Sequence, residues 1–381
     1  MRRKMNFRSS ASERERTEAS ASKTRKEMNE RMGVETSEHG RGQADLAEQY
    51  PDLPDYYHIP LSETIDRAKQ AQTTGSVDIV FYTDPHHKLG GNQLRAAAAV
   101  KHAAKALSSD CMVIGGDIME NGPKKEILLA QSELMDAIRM QGCPAFPMRG
   151  NHDDNSIEDF RLKIKGANNV IFPVEAYTVI YQRLDGTVSF DKGYESGLYY
   201  YYDIPVKKTR IVMLNSVDVL YKVKADGMLQ QNGQWEYAFS DRQVDWFEHK
   251  VFDFSDIPDG DKWKVVIFSH LPIIQRGVKG YVDGEVENGE KIWKVIKTNR
   301  NQVVACLFGH VHIDQVLYQD GIPLISTLNA VSYRNYAESP DRTVGTASET
   351  AFDLISIDCS KGELRMTRFG AGEDRIVIFE V

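Results

Sequence analysis

The sequence predicts an α/β protein with two sheets packed face to face and helices outside. Three observations point there. Between residues 77 and 148, short apolar runs alternate with helical stretches in the order strand, helix, strand, helix, strand, which is the pattern of parallel strands joined by right-handed crossovers. The middle and end of the chain supply a further set of strands, and after His312 almost everything reads as strand. Asp, His and Asn residues follow strand after strand, at the C-terminal ends where α/β sheets place their ligands.

The chain has 381 residues, 41% hydrophobic and 27% charged, with a net charge of −8. That is ordinary for a water-soluble globular protein. An acidic balance gives no general basic footprint for duplex nucleic acid. Cys111, Cys143, Cys306 and Cys359 form no C-x-x-C pair, so buried free thiols are expected rather than disulfides or a zinc cluster. No run approaches the ~18 apolar residues that span a membrane. The N-terminal MRRKMNFRSSASERERTEAS lacks the apolar core of a secretory signal. A cytoplasmic location without membrane contact is the expectation.

Residues 1–55 are polar and mixed in charge. They hold too few large apolar residues to build a core and read as a flexible tail, with a partner-binding arm as the alternative and a helical piece near Thr24–Met32. Pro51, Pro54 and Pro60 mark a boundary, and residues 56–381 read as one catalytic domain. Ser62 is expected to cap a short helix to Gln72. Val77–Tyr82 is a strand, Asn92 caps an Ala-rich helix to Leu107, and Cys111–Ile114 is a wholly apolar strand. An amphipathic helix from Lys124 to Met140 leads to a short strand, Ala145–Met148. Strands follow at 199–204 and 210–214, then a helix from Ser240 to Val251, a strand at 263–268, a helix from Gly289 to Thr298 and a strand at 303–308. The last strands are 315–318, 323–326, 351–357, 363–368 and 376–381.

Five blocks carry the chemistry: Asp84-Pro85-His86, Gly116-Asp117, Gly150-Asn151-His152-Asp153, His270, and Gly309-His310-Val311-His312. Taken singly, each has a bland reading as a turn or a surface histidine. Together, in this order, they resemble the calcineurin-like metallophosphoesterase superfamily. The resemblance spans residues 84–312 and implies a four-layer α/β/β/α sandwich of two mixed sheets flanked by helices. It implies hydrolysis of phosphodiesters or phosphomonoesters at two divalent cations, which neutralise the phosphoryl oxygens and acidify a bridging water to hydroxide. Asp84, His86 and His312 are implied for one metal, and Asn151, His270 and His310 for the other, with Asp117 bridging. Ligands of oxygen and imidazole without thiolate suit manganese, iron or zinc. In extended chain, residues i and i+2 point the same way, so Asp-x-His and His-x-His are each expected to converge on one place. Gly150 is expected to turn the backbone sharply.

The family uses His152 to protonate the leaving oxygen or to stabilise phosphoryl charge. Many members have Gly-Asp-x-x-Asp, whose last Asp orients that histidine. Here Glu120 stands at that position, so Glu120 is the candidate to orient His152, with Asn121 as substitute. The phosphoprotein phosphatase signature is incomplete, because Asp153 replaces Glu and no Asp-Arg follows Asp117. A small phosphoester is therefore the expected substrate. A repair-type nuclease, and a phosphoesterase fold serving as an assembly module, are the alternatives. His58, His102 and His249 read as surface residues, His87 as pointing away from the site, and Arg149 as solvated. Lys88–Asn92 is a weak candidate for an anion-binding turn. Segments 178–198, 220–239 and 275–290 are expected over the site.

Overall fold

A computed structural model describes residues 45–163, 165–231, 234–280, 284–336 and 338–381. The tail as far as residue 44, including the stretch Thr24–Met32 expected to be helical, lies outside them. The chain divides into two units, Met1–Pro51 and Asp52–Val381, and the described strands all lie in the second.

The strands are β1 (Val77–Tyr82), β2 (Cys111–Ile114), β3 (Ala145–Pro147), β4 (Ser189–Phe190), β5 (Tyr200–Ile204), β6 (Thr209–Leu214), β7 (Lys264–Ser269), β8 (Val303–Phe308), β9 (Gln315–Gln319), β10 (Ile322–Ser326), β11 (Ala351–Asp358), β12 (Glu363–Gly370) and β13 (Arg375–Ile378). They form a six-stranded sheet, β13-β12-β11-β1-β2-β3, and a seven-stranded sheet, β4-β5-β6-β7-β8-β10-β9. β1, β2 and β3 run parallel, as their alternation with helices predicts. The late strands make no sheet of their own. β11 returns to lie antiparallel beside β1, while β9 and β10 extend the second sheet. The sheets meet face to face: the Phe81 and Phe268 rings are 5.1 Å apart, and Tyr200 Oη donates to Pro147 O at 2.6 Å.

The first outer layer holds α1 (Asp55–Ala71), α2 (Gln93–Leu107) and α3 (Lys124–Ile138). α1 starts seven residues before the expected Ser62 cap and carries Pro60 inside it. Packing overrides the proline: Tyr57, Leu61, Ile65 and Ala68 form one buried stripe, and Tyr57 meets the Phe369 ring of β12 at 5.2 Å. His58 is buried on this helix, with Nε2 3.1 Å from Leu53 O, not at the surface. Asn92 makes no side-chain cap bond. Two short helices missed in the sequence, α4 (Ser156–Leu162) and α5 (Pro173–Ala176), follow β3. The second outer layer is α6 (Asp241–Trp246), capped by Ser240, and α7 (Gly289–Thr298). Their Trp246 and Trp293 share an apolar cluster with Val212, Ile267 and Cys306 of the second sheet. All four cysteines are free and three are buried. Among the described residues no helix is long and apolar enough to cross a membrane.

One polar cluster ties the sheets together. Asp353 of β11, fully buried, accepts from Arg368 Nε at 2.9 Å and from Arg375 Nη2 at 2.7 Å. Arg368 also grips Asp314 ahead of β9, and Arg375 donates to Ser326 O at the end of β10. Burial opposes the Asp353 charge, but the two guanidinium groups outweigh it and bring its pKa down to about 2. A depressed carboxylate stabilises the fold above its unfolded pKa and loses that contribution as pH falls through about 2. Asp353→Ala, which leaves two arginines buried and short of a partner, should lower unfolding free energy by about 3–5 kcal/mol at pH 7. Chemical denaturation checks this, and a loss under about 1 kcal/mol would contradict it.

Candidate metal centre

The expected ligands all sit where strands end. Asp84 and His86 follow β1, Asp117 follows β2, Asn151 follows β3, His270 follows β7, and His310 and His312 follow β8. The two sheets thus present their C-terminal ends to one cleft. The local backbone differs from the extended chain assumed for the Asp-x-His and His-x-His pairs. Asp84, His86, Asp117, His310 and His312 have φ of 51°, 40°, 48°, 62° and 54°, a left-handed conformation uncommon outside glycine. Backbone pairing continues past the strands to hold these turns: His86 N–H donates to Asp117 O at 3.0 Å and Asp84 N–H to Gly116 O at 3.1 Å. His310 and His312 do not converge on one place but face two different groups.

Gly150 is not left-handed, so a sharp turn is not why glycine stands there. A Cβ at 150 would lie 2.1 Å from the Asp117 nitrogen. Gly309 is constrained the same way, since a Cβ there would lie 2.3 Å from Asp84 Oδ2. Both glycines let one strand end's backbone touch the carboxylate residue at another.

Among the described residues, three groups could each hold a cation: Asp84, His86 and His312; His86, Asp117 and His152; and Asp117, His270 and His310. Asp117 belongs to two of them, with Oδ1 3.3 Å from His270 Nε2 and Oδ2 3.7 Å from His86 Nε2. Asn151 Oδ1 lies 2.9 Å from His310 Nδ1 and 3.1 Å from His270 Nε2. His312 Nε2 is 3.0 Å from Asp84 Oδ1. Both ring nitrogens of His86 and Nε2 of His310 are buried without a hydrogen-bond partner. A buried polar atom with no partner is costly, and imidazole lone pairs aimed at convergent oxygens fit divalent cations of the manganese, iron or zinc kind.

Charge balance shapes the protonation of the centre. Burial opposes the Asp117 carboxylate, but His270 and His152 hold it well below the usual range. Asp84 is likewise lowered against its burial by His312 and His270. Burial also opposes the His270 cation, yet Asp117 and Asp84 raise its pKa to about 10. His310 falls to about 3 through burial and the neighbouring His270. His86 is pushed well down by burial and by His152.

His152 lies at the cleft, its Nε2 3.9 Å from Asp117 Oδ2 and 3.0 Å from Gln234 Nε2. The expectation that Glu120 orients it is corrected: Nδ1 of His152 meets Asn121 Oδ1 at 2.6 Å. The Asn121 amide is itself fixed by donating to His152 O at 3.1 Å. Glu120 pairs with Arg334 instead, because its longer arm carries the carboxylate past the ring. Arg149 is corrected too. It is 1% exposed and donates to Ile171 O, away from the cleft. His87 points away as expected, to Glu133 at 2.7 Å. The same carboxylate takes the Gly90 N–H at 2.8 Å, which removes the case for an anion there.

The cleft has a volume of about 390 Å³ and is walled by Ile157, Arg161, Gln234, Trp235, Arg334 and Tyr336 beside the candidate ligands. Of the described residues in the three segments expected over the site, only those of 220–239 contribute to this wall. Arg334 and Tyr336 went unnoticed, and no motif spacing marks them.

A family model described as calcineurin-like phosphoesterase matches residues 77–314. No curated protein sequence matches the chain. Among solved structures, a dimetal phosphatase from Danio rerio is similar, at 17% identity and a TM-score of 0.54, covering 80% of this chain and 100% of its own. GAP50, described as the anchor in the inner membrane complex of Plasmodium, covers 80% of this chain and 89% of its own, at 13% identity and a TM-score of 0.49.

With no cation bound, His270 keeps a proton up to a pH of about 10. Ligation needs that lone pair, so metal uptake at pH 7 should release about one proton from this residue. Apparent affinity should rise with pH, by up to about tenfold per unit for a single displaced proton. Calorimetry of manganese or zinc binding in buffers of unlike ionisation enthalpy measures the proton count, and zero release would contradict the assignment.

Proposed function

The chain belongs to the calcineurin-like phosphoesterase family, and on that premise we propose that it hydrolyses small phosphoesters with two divalent cations. Asp84, His86 and His312 would hold one cation. Asn151, His270 and His310 would hold the other, and Asp117 would serve both. The observation that carries this reading is the convergence of six of these residues in groups able to hold a cation, with Asn151 Oδ1 against His270 and His310, and buried imidazole nitrogens there that no protein group satisfies. Bound there, a pair of divalent cations neutralises phosphoryl charge and acidifies water.

The chain's own residues do the rest. Asn151 offers an oxygen without charge, which leaves positive potential for an anionic substrate. Asn121 Oδ1 can only accept, so it keeps a proton on Nδ1 of His152, while Nε2 faces the cleft and accepts from the Gln234 amide at 3.0 Å. With the Gln234 amide turned aside, a proton taken up at Nε2 can pass to the leaving oxygen, and the ring returns to the neutral form that Asn121 and Gln234 support. Burial pushes its pKa down despite Asp117, so the ring is mostly neutral at pH 7 and, once protonated, gives the proton up readily. A cleft of about 390 Å³ and the absence of a full phosphoprotein phosphatase signature favour a small diester or an activated monoester. Manganese, iron and zinc are the candidate metals. Free, mostly buried cysteines suit the cytoplasm. Residues 56–381 would be the catalytic domain and residues 1–55 an appended tail.

The direct test is turnover of nitrophenyl phosphate mono- and diesters by metal-reconstituted protein. No hydrolysis of either with manganese, iron or zinc restored would sink the proposal. Asp117→Asn should cost at least one bound metal and nearly all turnover with the fold intact. Two metals at wild-type affinity in that variant would show that Asp117 does not bridge. His152→Ala should lower kcat by about 10²–10⁴-fold while both metals stay bound, and by less for a nitrophenolate leaving group, which needs little protonation. Recovery of full rate by added metal would assign His152 to metal binding instead.

A further inference from the structure

Residues 329–336, after β10, belong to none of the five motif blocks, yet they close around one side of the centre. Ala330 N–H donates to Thr83 O at 3.0 Å, and Tyr333 Oη donates to His86 O at 2.9 Å. The segment is braced from behind. Asn329 Nδ2 donates to Tyr333 O at 2.9 Å, and Arg342 donates to the carbonyls of Asn329 and Val331 at 2.7 and 2.8 Å.

Arg334 stands at the tip with φ of 64°, a conformation a non-glycine residue keeps only where its surroundings impose it. Its carbonyl oxygen lies 2.8 Å from His312 Nδ1. A carbonyl can only accept, so Nδ1 donates to it, and this fixes the ring with Nε2 3.0 Å from Asp84 Oδ1. Its guanidinium reaches over to Glu120, with Nε 3.1 Å from Oε2 and Nη2 on Oε1. This two-point pairing fixes the plane of the fork. Arg334 lines the cleft with Asp117 and His152, and its side chain stays 35% exposed. Among the described residues, none accepts from Nη1.

We infer that Arg334 anchors the substrate: held in plane by Glu120, its guanidinium takes a non-bridging oxygen of the phosphoryl group through Nη1, while its backbone carbonyl orients His312. The inference rests on the proposed phosphoester hydrolysis and extends it to a residue outside the motif blocks. It also gives Glu120 a role, which is to hold the arginine rather than His152. An arginine suits this task because its fork offers a further donor after two are engaged, which a lysine held by the same carboxylate does not match in geometry.

The test uses the full-length, metal-loaded protein with inorganic phosphate as probe. Arg334→Asn removes the cation and keeps a residue that tolerates left-handed backbone. Arg334→Lys keeps charge without the fork. Both should retain wild-type metal content, because the carbonyl remains. The phosphate Kd by calorimetry should rise about tenfold or more in Arg334→Asn, the scale of one charge-assisted hydrogen bond, and by less in Arg334→Lys. KM for nitrophenyl phosphate should rise in parallel, with a smaller fall in kcat. Wild-type phosphate affinity in fully loaded Arg334→Asn would overturn the inference. Loss of metal from that variant would overturn it as well, by reducing Arg334 to a support for His312. Failure of wild-type protein to hydrolyse any ester would sink the proposed function, while phosphate binding would still be measurable.

Discussion

Two carboxylates, Asp84 and Asp117, are sunk where the sheets meet, with 0% and 2% of their surfaces exposed. Unpaired negative charge at that depth is prohibitive, and much of the surrounding architecture answers to it. Backbone N–H groups are aimed at both: His310 N–H at Asp84, and His152 N–H at Asp117 Oδ1. Thr83 Oγ1 adds a donor to Asp84 at 2.6 Å. Imidazoles surround the pair, and His270 keeps a proton between them when nothing else supplies positive charge. An arrangement of this kind around buried anions suits divalent cations. The alternative, protonated carboxyls, is opposed by the imidazoles and N–H donors around them.

The left-handed residues belong to the same constraint. Each costs of order 1–3 kcal/mol of backbone strain, and five candidate ligands share it. Side chains leaving a strand in extended chain alternate between the two faces of the sheet. A left-handed step at the strand end redirects the side chain over the edge, into the gap between the sheets. The glycines at 150 and 309 serve the same crowding, by removing the Cβ atoms that would strike Asp117 and Asp84. The region is therefore set by close approach of backbones, and its side chains take the directions that remain.

Much of this was readable in the chain itself, and the limits have physical causes. Apolar runs of four to six residues ending in Asp, His or Asn announce both the strands and the ligands, because few other arrangements place such groups beside buried strands. The backbone geometry was not readable, since nothing in the residue type of His86 or His312 marks φ as positive. Glu120 was misjudged because side-chain length cannot be converted to position without knowing that Arg334 stands opposite. Asn121, named only as a substitute, makes the contact because its shorter arm ends beside the ring. Gln234 and Arg334 sit in connections whose nearness to the cleft depends on strand order, and no local pattern encodes it. α1 shows the converse error: a proline was read as a boundary, whereas a buried stripe carried the helix through it.

The pairing of β1 with β11 has a consequence for how the protein is made. Val77 takes Ile357 as its partner, so the central strand of the first sheet lacks one neighbour until the chain has been made as far as β11. At ~5–20 residues per second, that edge waits roughly a quarter of a minute to a minute with apolar side chains and open backbone groups on display. Long-range pairing of this kind is slow and exposed to aggregation. During synthesis the covering of that edge therefore falls to helices and neighbouring strands already made, and the first sheet closes only when β11 arrives.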